Sequence, residues 1–329
     1  MATAQQIKSL LESHLQDDRE RFATIALQVA AHEAKKGHSA LANDIRNIVE
    51  NIQKNHSTQK HASIVDKRLG ELVRISPDVH RIPELVVNQE LRARLLQVVK
   101  EFRQRDKIRK HGLVQRRKLL LIGPPGTGKT LTAKVLAGEL HLPMYTVAID
   151  KVVTKYLGET SAKMRQVFDL ISNQTGVYLF DEFDAIGANR ERDNDVGEMR
   201  RVVNSFLQFI EEERGDSIIV AATNIRKILD HALYRRFDDV LRYSQPTASE
   251  SLQLMKNRLS TFRPVRFGPK SVAPLQTLAS SMNHADIAMS CDNAIKNCIL
   301  NDKSKVTIAR LEECLLERKA VYEDEEELS

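Results

Sequence analysis

The stretch that most constrains this chain runs from Lys118 to Thr130, Lys-Leu-Leu-Leu-Ile-Gly-Pro-Pro-Gly-Thr-Gly-Lys-Thr. Leu119 to Ile122 is a short, continuous apolar run bounded by Gly and Pro, the pattern of a buried strand. Gly123, Pro124, Pro125, Gly126, Thr127, Gly128, Lys129 and Thr130 then fit G-x-x-x-x-G-K-[ST], a loop whose backbone N–H groups cradle phosphate. Glycines let successive N–H groups turn toward one anion. Lys129 is expected to carry a point charge to the β- and γ-phosphates, and the Thr130 hydroxyl to ligate Mg²⁺. A helical pattern begins at Leu131, so the positive end of that helix faces the same anion. Strand, glycine loop and helix in this order imply a nucleoside triphosphate site.

Val177-Tyr178-Leu179-Phe180-Asp181-Glu182 supplies a second half to that site. It is an apolar strand ending in two carboxylates, at the sheet edge where α/β folds place their ligands. Asp181 is expected to hold Mg²⁺, directly or through water, and Glu182 to orient and deprotonate the attacking water. A further strand, Ile218 to Ala222, ends at Thr223-Asn224, which puts Asn224 in reach of the same water. Arg235 and Arg236 follow a short helical stretch and read either as a charged surface or as arginines acting across a subunit interface.

Strands expected at 118–122, 144–149, 177–181, 217–222 and 239–243 alternate with helices, which predicts an α/β core with a mainly parallel five-stranded sheet covered on both faces. The core spans 76–245. Pro246 opens a second, helical domain over 246–320, with helices expected at 248–260, 275–282, 285–301 and 307–319. Residues 1–56 read as a small all-helical domain with helices at 3–16, 18–36 and 39–55. The polar stretch after it makes 57–75 a linker, and the acidic tail 321–329 is expected to be disordered.

Charge and cysteine content narrow the function classes. Residues 1–117 hold 22 Lys+Arg against 14 Asp+Glu, within a chain of net charge +6. The excess peaks over Arg92 to Lys118, with eleven basic and two acidic residues. Such a run suits nucleic acid or a solvated helix face at a subunit boundary, and sequence leaves both open. His32-Glu33 invites a zinc-protease reading, but Lys36 stands where H-E-x-x-H needs its second histidine. Cys291 and Cys298, seven apart on one helix, read as core residues, and three unpatterned cysteines suit a reducing compartment. No run nears the ~20 apolar residues of a membrane span. The expectation is a cytoplasmic protein without membrane contact.

Taken together, Gly-Pro-Pro-Gly-Thr-Gly-Lys-Thr (123–130), Leu-Phe-Asp-Glu-Phe-Asp (179–184), Ala-Ala-Thr-Asn (221–224) and Arg-Arg-Phe-Asp (235–238) resemble the AAA+ ATPases, and within them the AAA clade in the narrow sense. The resemblance covers about residues 75–320. It implies ATP and Mg²⁺ as cofactors, a P-loop core with a C-terminal helical lid, Asn224 as sensor 1, and Arg235 and Arg236 as fingers donated to a neighbour's γ-phosphate. That further implies a homo-oligomeric ring, usually a hexamer. By residue type alone Tyr156 reads as packed against its own domain. The resemblance makes Tyr156, Leu157 and Gly158 a pore loop that grips a threaded polypeptide.

Met282-Asn283-His284-Ala285-Asp286-Ile287 departs from the clade's Gly-Ala-Asp-Ile stretch, which puts the adenine and ribose contacts in doubt. The N-terminal segment Ala30 to His38 faintly resembles the N-domain of bacterial ATPases paired with a separate subtilisin-like serine protease. The function implied is a protein-remodelling ATPase, with a DNA-directed loader or initiator, or a nucleotide-gated scaffold, as the alternatives.

Overall fold

The computed structural model describes residues 69–78, 80–154, 157–183, 196–224, 234–265 and 267–327, together with 25, 26, 28–31, 34 and 43. The chain divides into two units, Met1–Asp66 and Lys67–Ser329. In the first, the described residues are helical, and Ala26, Val29 and Ala30 are buried. Most of the three helices expected there lies outside the described residues.

The second unit opens with α1 (Leu69–Leu72) and β1 (Val73–Ser76), then α2 (Gln89–Arg103), α3 (Arg105–Arg109), β2 (Lys118–Ile122) and α4 (Lys129–Leu140). It continues through β3 (Met144–Val147), α5 (Ile149–Val152), α6 (Leu157–Asn173), β4 (Val177–Phe180), α7 (Val196–Glu212), β5 (Ile218–Thr223) and β6 (Asp239–Arg242). Four helices close the chain: α8 (Ala248–Ser260), α9 (Pro269–Ala279), α10 (His284–Leu300) and α11 (Ile308–Glu327).

The sheet order is β1-β3-β4-β5-β2-β6, with β1 antiparallel to β3 and the other neighbours parallel. The two-residue alternation of a strand sorts its side chains between two cores. Leu120 and Ile122, Tyr178 and Phe180, and Ile219 and Ala221 face α6 and α7, where Phe168 and Phe206 fill the layer. Leu119 and Leu121, Val177 and Leu179, and Ile218 and Val220 face α2 and α4, against Leu95, Val98 and Leu136. Burial on both faces is why these strands read as unbroken apolar runs rather than alternating ones.

The C-terminal helices hold a separate core of Met255, Leu259, Leu275, Ile287, Cys291, Cys298 and Leu311. All three cysteines are free and buried, in agreement with the core reading of Cys291 and Cys298. Burial pushes the Cys291 thiol up to about 12, so it stays protonated and inert.

Three expectations change. The sheet has six strands rather than five, because residues 69–76, which overlap the end of the stretch 57–75 read as linker, form α1 and the edge strand β1. Four residues carry too little periodicity to announce a strand, and pairing with β3 supplies what local propensity lacks. Helix α9 starts at Pro269, not at 275, and passes through Pro274. Pro269 sits at N1, where a missing N–H costs nothing. The acidic tail is helical as far as Glu327 rather than disordered, because α11 is anchored by Leu311, Cys314 and Leu315 in the lid core. Glutamate is itself a good helix former.

Candidate functional site

The phosphate loop joins β2 to α4 at the carboxyl edge of the sheet. Gly126 and Gly128 have φ of 72° and 95°, left-handed values that a side chain resists. The loop also presses on the lid: a Cβ on Gly126 would lie 2.5 Å from the Asn283 side chain. Ala285 N donates to Gly126 O at 3.0 Å, so the first turn of α10 is tied to the loop itself.

Two further strands deliver the remaining polar groups. Lys129 Nζ donates to Gly123 O, Pro124 O and Asn224 Oδ1, each at 2.8 Å, which brings the end of β5 onto the loop. Thr130 Oγ1 donates to Asp181 Oδ2 at 2.7 Å, which does the same for β4. Glu182 N donates to Asp181 Oδ1 at 3.0 Å, and Glu182 has φ 50° with its side chain exposed. A non-glycine residue in that region is uncommon and signals a local constraint. Beside the two acids lies a cleft of about 410 Å³ that also takes in Arg74 and Asp150. The Thr130 hydroxyl and Asp181 carboxylate are hard oxygen donors within hydrogen-bond reach, a set that suits Mg²⁺ completed by phosphate and water. Among the described residues, no group of three or more His, Cys, Asp or Glu side chains could hold a metal by itself.

Arg235 and Arg236 do not join this cluster. They precede β6, whose first residue Asp239 aligns with Leu119 near the start of β2. The phosphate loop leaves the other end of β2, so roughly 15 Å of strand separates them. Arg235 is exposed, whereas Arg236 Nε lies 2.8 Å from Glu211 Oε1 of α7. The two arginines, equivalent by sequence, therefore have different surroundings.

Tyr156 lies outside the described residues. Leu157 and Gly158 fall in the first turn of α6, and Gly158 is exposed. The Thr160 hydroxyl, in the same helix, accepts from Thr154 N at 3.0 Å. Thr160 was not singled out by sequence, since one buried threonine gives no motif.

The basic stretch 92–118 is largely neutralised within the chain. Arg94 and Arg116 both pair with Asp239, and Arg116 also holds Glu101 at 2.6 Å. Arg105 and Arg109 share Asp216, Arg103 takes Glu139, and Arg117 forms a buried pair with Glu213. The Arg116 guanidinium holds the Glu101 carboxyl down at about 2. Arg92, Lys100, Lys107 and Lys110 stay exposed.

On the lid side of the loop, sequence marked 282–287 only as a departure from the clade's pattern and did not name Tyr243. Tyr243, buried at the end of β6, shares a 2.6 Å hydrogen bond with Thr132 of α4. Asn283 caps α10 by accepting from Asp286 N at 2.9 Å. Asp286 is buried and paired with Arg318 of α11 at 2.8 Å, which locks the lid helices together.

A profile of the ATPase family associated with various cellular activities (AAA) matches residues 119–245. The chain is 36% identical over 312 residues to an uncharacterized AAA family ATPase of Sinorhizobium fredii, covering 93% of this chain and 92% of the relative. It is also similar to proteasome-activating nucleotidases, at 34% identity for that of Methanoregula boonei and 33% for that of Methanococcus vannielii. Those matches take in 57% and 66% of this chain and 44% and 54% of the relatives, so the chain spans about half the nucleotidases' length. This chain belongs to the AAA family of ATPases, and its reaction is the hydrolysis of ATP.

Proposed function

We propose that this ATPase works as a homo-oligomeric ring, six subunits in the expected assembly, that pulls on, unfolds or disassembles protein substrates. The observation that carries the ring is the placement of Arg235. It is exposed at the amino end of β6, a strand's length from its own phosphate loop, which supports a role at the site of a neighbouring subunit. A stabilising arginine supplied in trans makes hydrolysis depend on assembly. Arg236, engaged by Glu211, then positions the turn that presents Arg235.

Within each site, Lys129 would exchange its contacts with Gly123, Pro124 and Asn224 for the β- and γ-phosphates. Thr130 and Asp181 would hold Mg²⁺, which neutralises phosphate charge when bound. Glu182 takes a proton from the attacking water as the new O–P bond forms at the γ-phosphorus. The bond to the β,γ-bridging oxygen breaks, and ADP leaves with that electron pair. Glu182→Gln is expected to keep nucleotide binding and lose turnover. Near-normal turnover in that variant would remove Glu182 from the role.

The protein substrate rests on two supports. The similar nucleotidases bear the name proteasome-activating, and Lys155 to Thr160 resembles a pore loop. The self-paired arginines of 92–118 weigh against a nucleic-acid face, because counterion release needs cations that can leave for phosphate. A separate subtilisin-like serine protease is the partner that the N-terminal resemblance suggests. The test is ATPase rate and particle mass for wild type and Tyr156→Ala, with and without an unfolded protein or duplex DNA. Protein-stimulated turnover in a six-subunit particle, lost in Tyr156→Ala, is the expected result. Stimulation by DNA alone, indifferent to Tyr156, would overturn the proposal.

A further inference from the structure

Between lid and core, on the far side of the phosphate loop from the acids, lies a narrow crevice lined by Val87, Asn88, Thr127, Tyr243, Glu250 and His284. His284 is the first residue of α10, between Asn283, which packs on Gly126, and Ala285, which bonds to it. Its ring is therefore held at a fixed offset from the phosphate loop. Both ring nitrogens are shielded from solvent; the Val86 backbone lies beside the ring, but no described group meets either nitrogen with good hydrogen-bond geometry. A buried polar group without a well-placed partner is destabilising, and a ligand that supplies the partner recovers that loss.

We propose that His284 is a base-reading residue: a ring nitrogen hydrogen-bonds the edge of the purine when the nucleotide's phosphates occupy the loop at Gly126. The inference rests on the nucleotide site described above and adds to it a specificity determinant, which the comparable glycine of the family pattern has no side chain to supply. Chemistry supports it. Burial holds the imidazole below its ordinary pKa, opposed by the Glu250 carboxylate and the Val86 backbone, so the neutral ring offers one donor and one acceptor. Those match an adenine edge, which pairs an amino donor with ring-nitrogen acceptors. The crevice has only about 10 Å³ of free space, near one water's worth, so the base enters only as lid and core part. Base recognition and lid position are thereby coupled through one side chain.

The experiment measures Kd by calorimetry for ADP, IDP and 7-deaza-ADP on the full chain, as wild type, His284→Ala and His284→Gln. Diphosphates avoid hydrolysis, so the result does not depend on the ring or on Glu182. His284→Ala is expected to weaken ADP about three- to tenfold, the worth of one hydrogen bond. The loss shrinks to less than twofold for whichever analogue lacks the contacted atom, the amino group in IDP or N7 in 7-deaza-ADP. His284→Gln, which keeps a donor and an acceptor, recovers part of the ADP affinity. Equal weakening of all three nucleotides would show that His284 acts only through lid packing, and unchanged affinity would show no role; either overturns the proposal. Failure of wild type to bind ADP at all would instead strike at the nucleotide site itself.

Discussion

Gly126 is where a single side-chain carbon would do most damage. Its φ of 72° disfavours any Cβ, and Asn283 occupies the space that Cβ would need. Gly126→Ala is expected to destabilise the fold by about 1–2 kcal/mol from backbone strain, and to weaken ATP binding by more than that strain explains. Asn283→Ala in the same chain should restore part of the binding by clearing the clash. Thermal unfolding and nucleotide titration of the two single variants and the double would show it, and strict additivity would remove the contact from the account. Glu101 makes a second residue-level case. Its carboxyl, held at about 2 by Arg116, stabilises the fold fully above its unfolded value of 4.5 and loses that contribution as pH falls toward 2. Glu101→Gln should flatten the decline in Tm between pH 5 and pH 3, and parallel profiles for the two proteins would refute it.

Among the elements, the residue before β2 and the residue after α7 form the buried pair Arg117–Glu213, with Glu213 1% exposed. Deleting one partner leaves a buried charge, so Glu213→Ala should cost about 3–5 kcal/mol in chemical denaturation. A loss below ~1 kcal/mol would mean the pair is hydrated in solution. The element scale is also where the sequence was most readable. Helices α8 and α10, expected at 248–260 and 285–301, run at Ala248–Ser260 and His284–Leu300, and the structure shows their starts fixed by caps, Thr247 with Glu250 and Asn283. β2 and β4 were legible because strands buried on both faces are uninterrupted apolar runs. β1 was not, since an edge strand of four residues is selected by its partner β3. The end of α11 was misread because composition alone suggested disorder, while its anchorage lies in the lid core.

For the whole molecule, the separation of Arg235 from its own phosphate loop makes a testable statement about assembly. Arg235→Ala subunits should bind ATP normally yet abolish turnover in the neighbour's site. In rings mixed with Lys129→Met subunits, which retain Arg235 but not the loop lysine, some activity should return wherever an intact loop meets an intact finger. Absence of any return across all mixing ratios, in rings shown to form, would place the arginine's action within one subunit. That the glycine loop, Asp181 and Asn224 stand at strand ends was legible in sequence, because each sits at short fixed spacing beside an apolar run, and the structure brings them together. Tertiary structure alone decided which distant groups share a surface. It paired arginines of the basic stretch 92–118 with Asp239, Asp216 and Glu213, gave Arg235 and Arg236 different surroundings, and set His284 at a crevice where no described group bonds its ring with good geometry. The physical reason is range: local spacing dictates backbone geometry and motif chemistry, whereas charge pairing and burial depend on which segments the sheet order brings together.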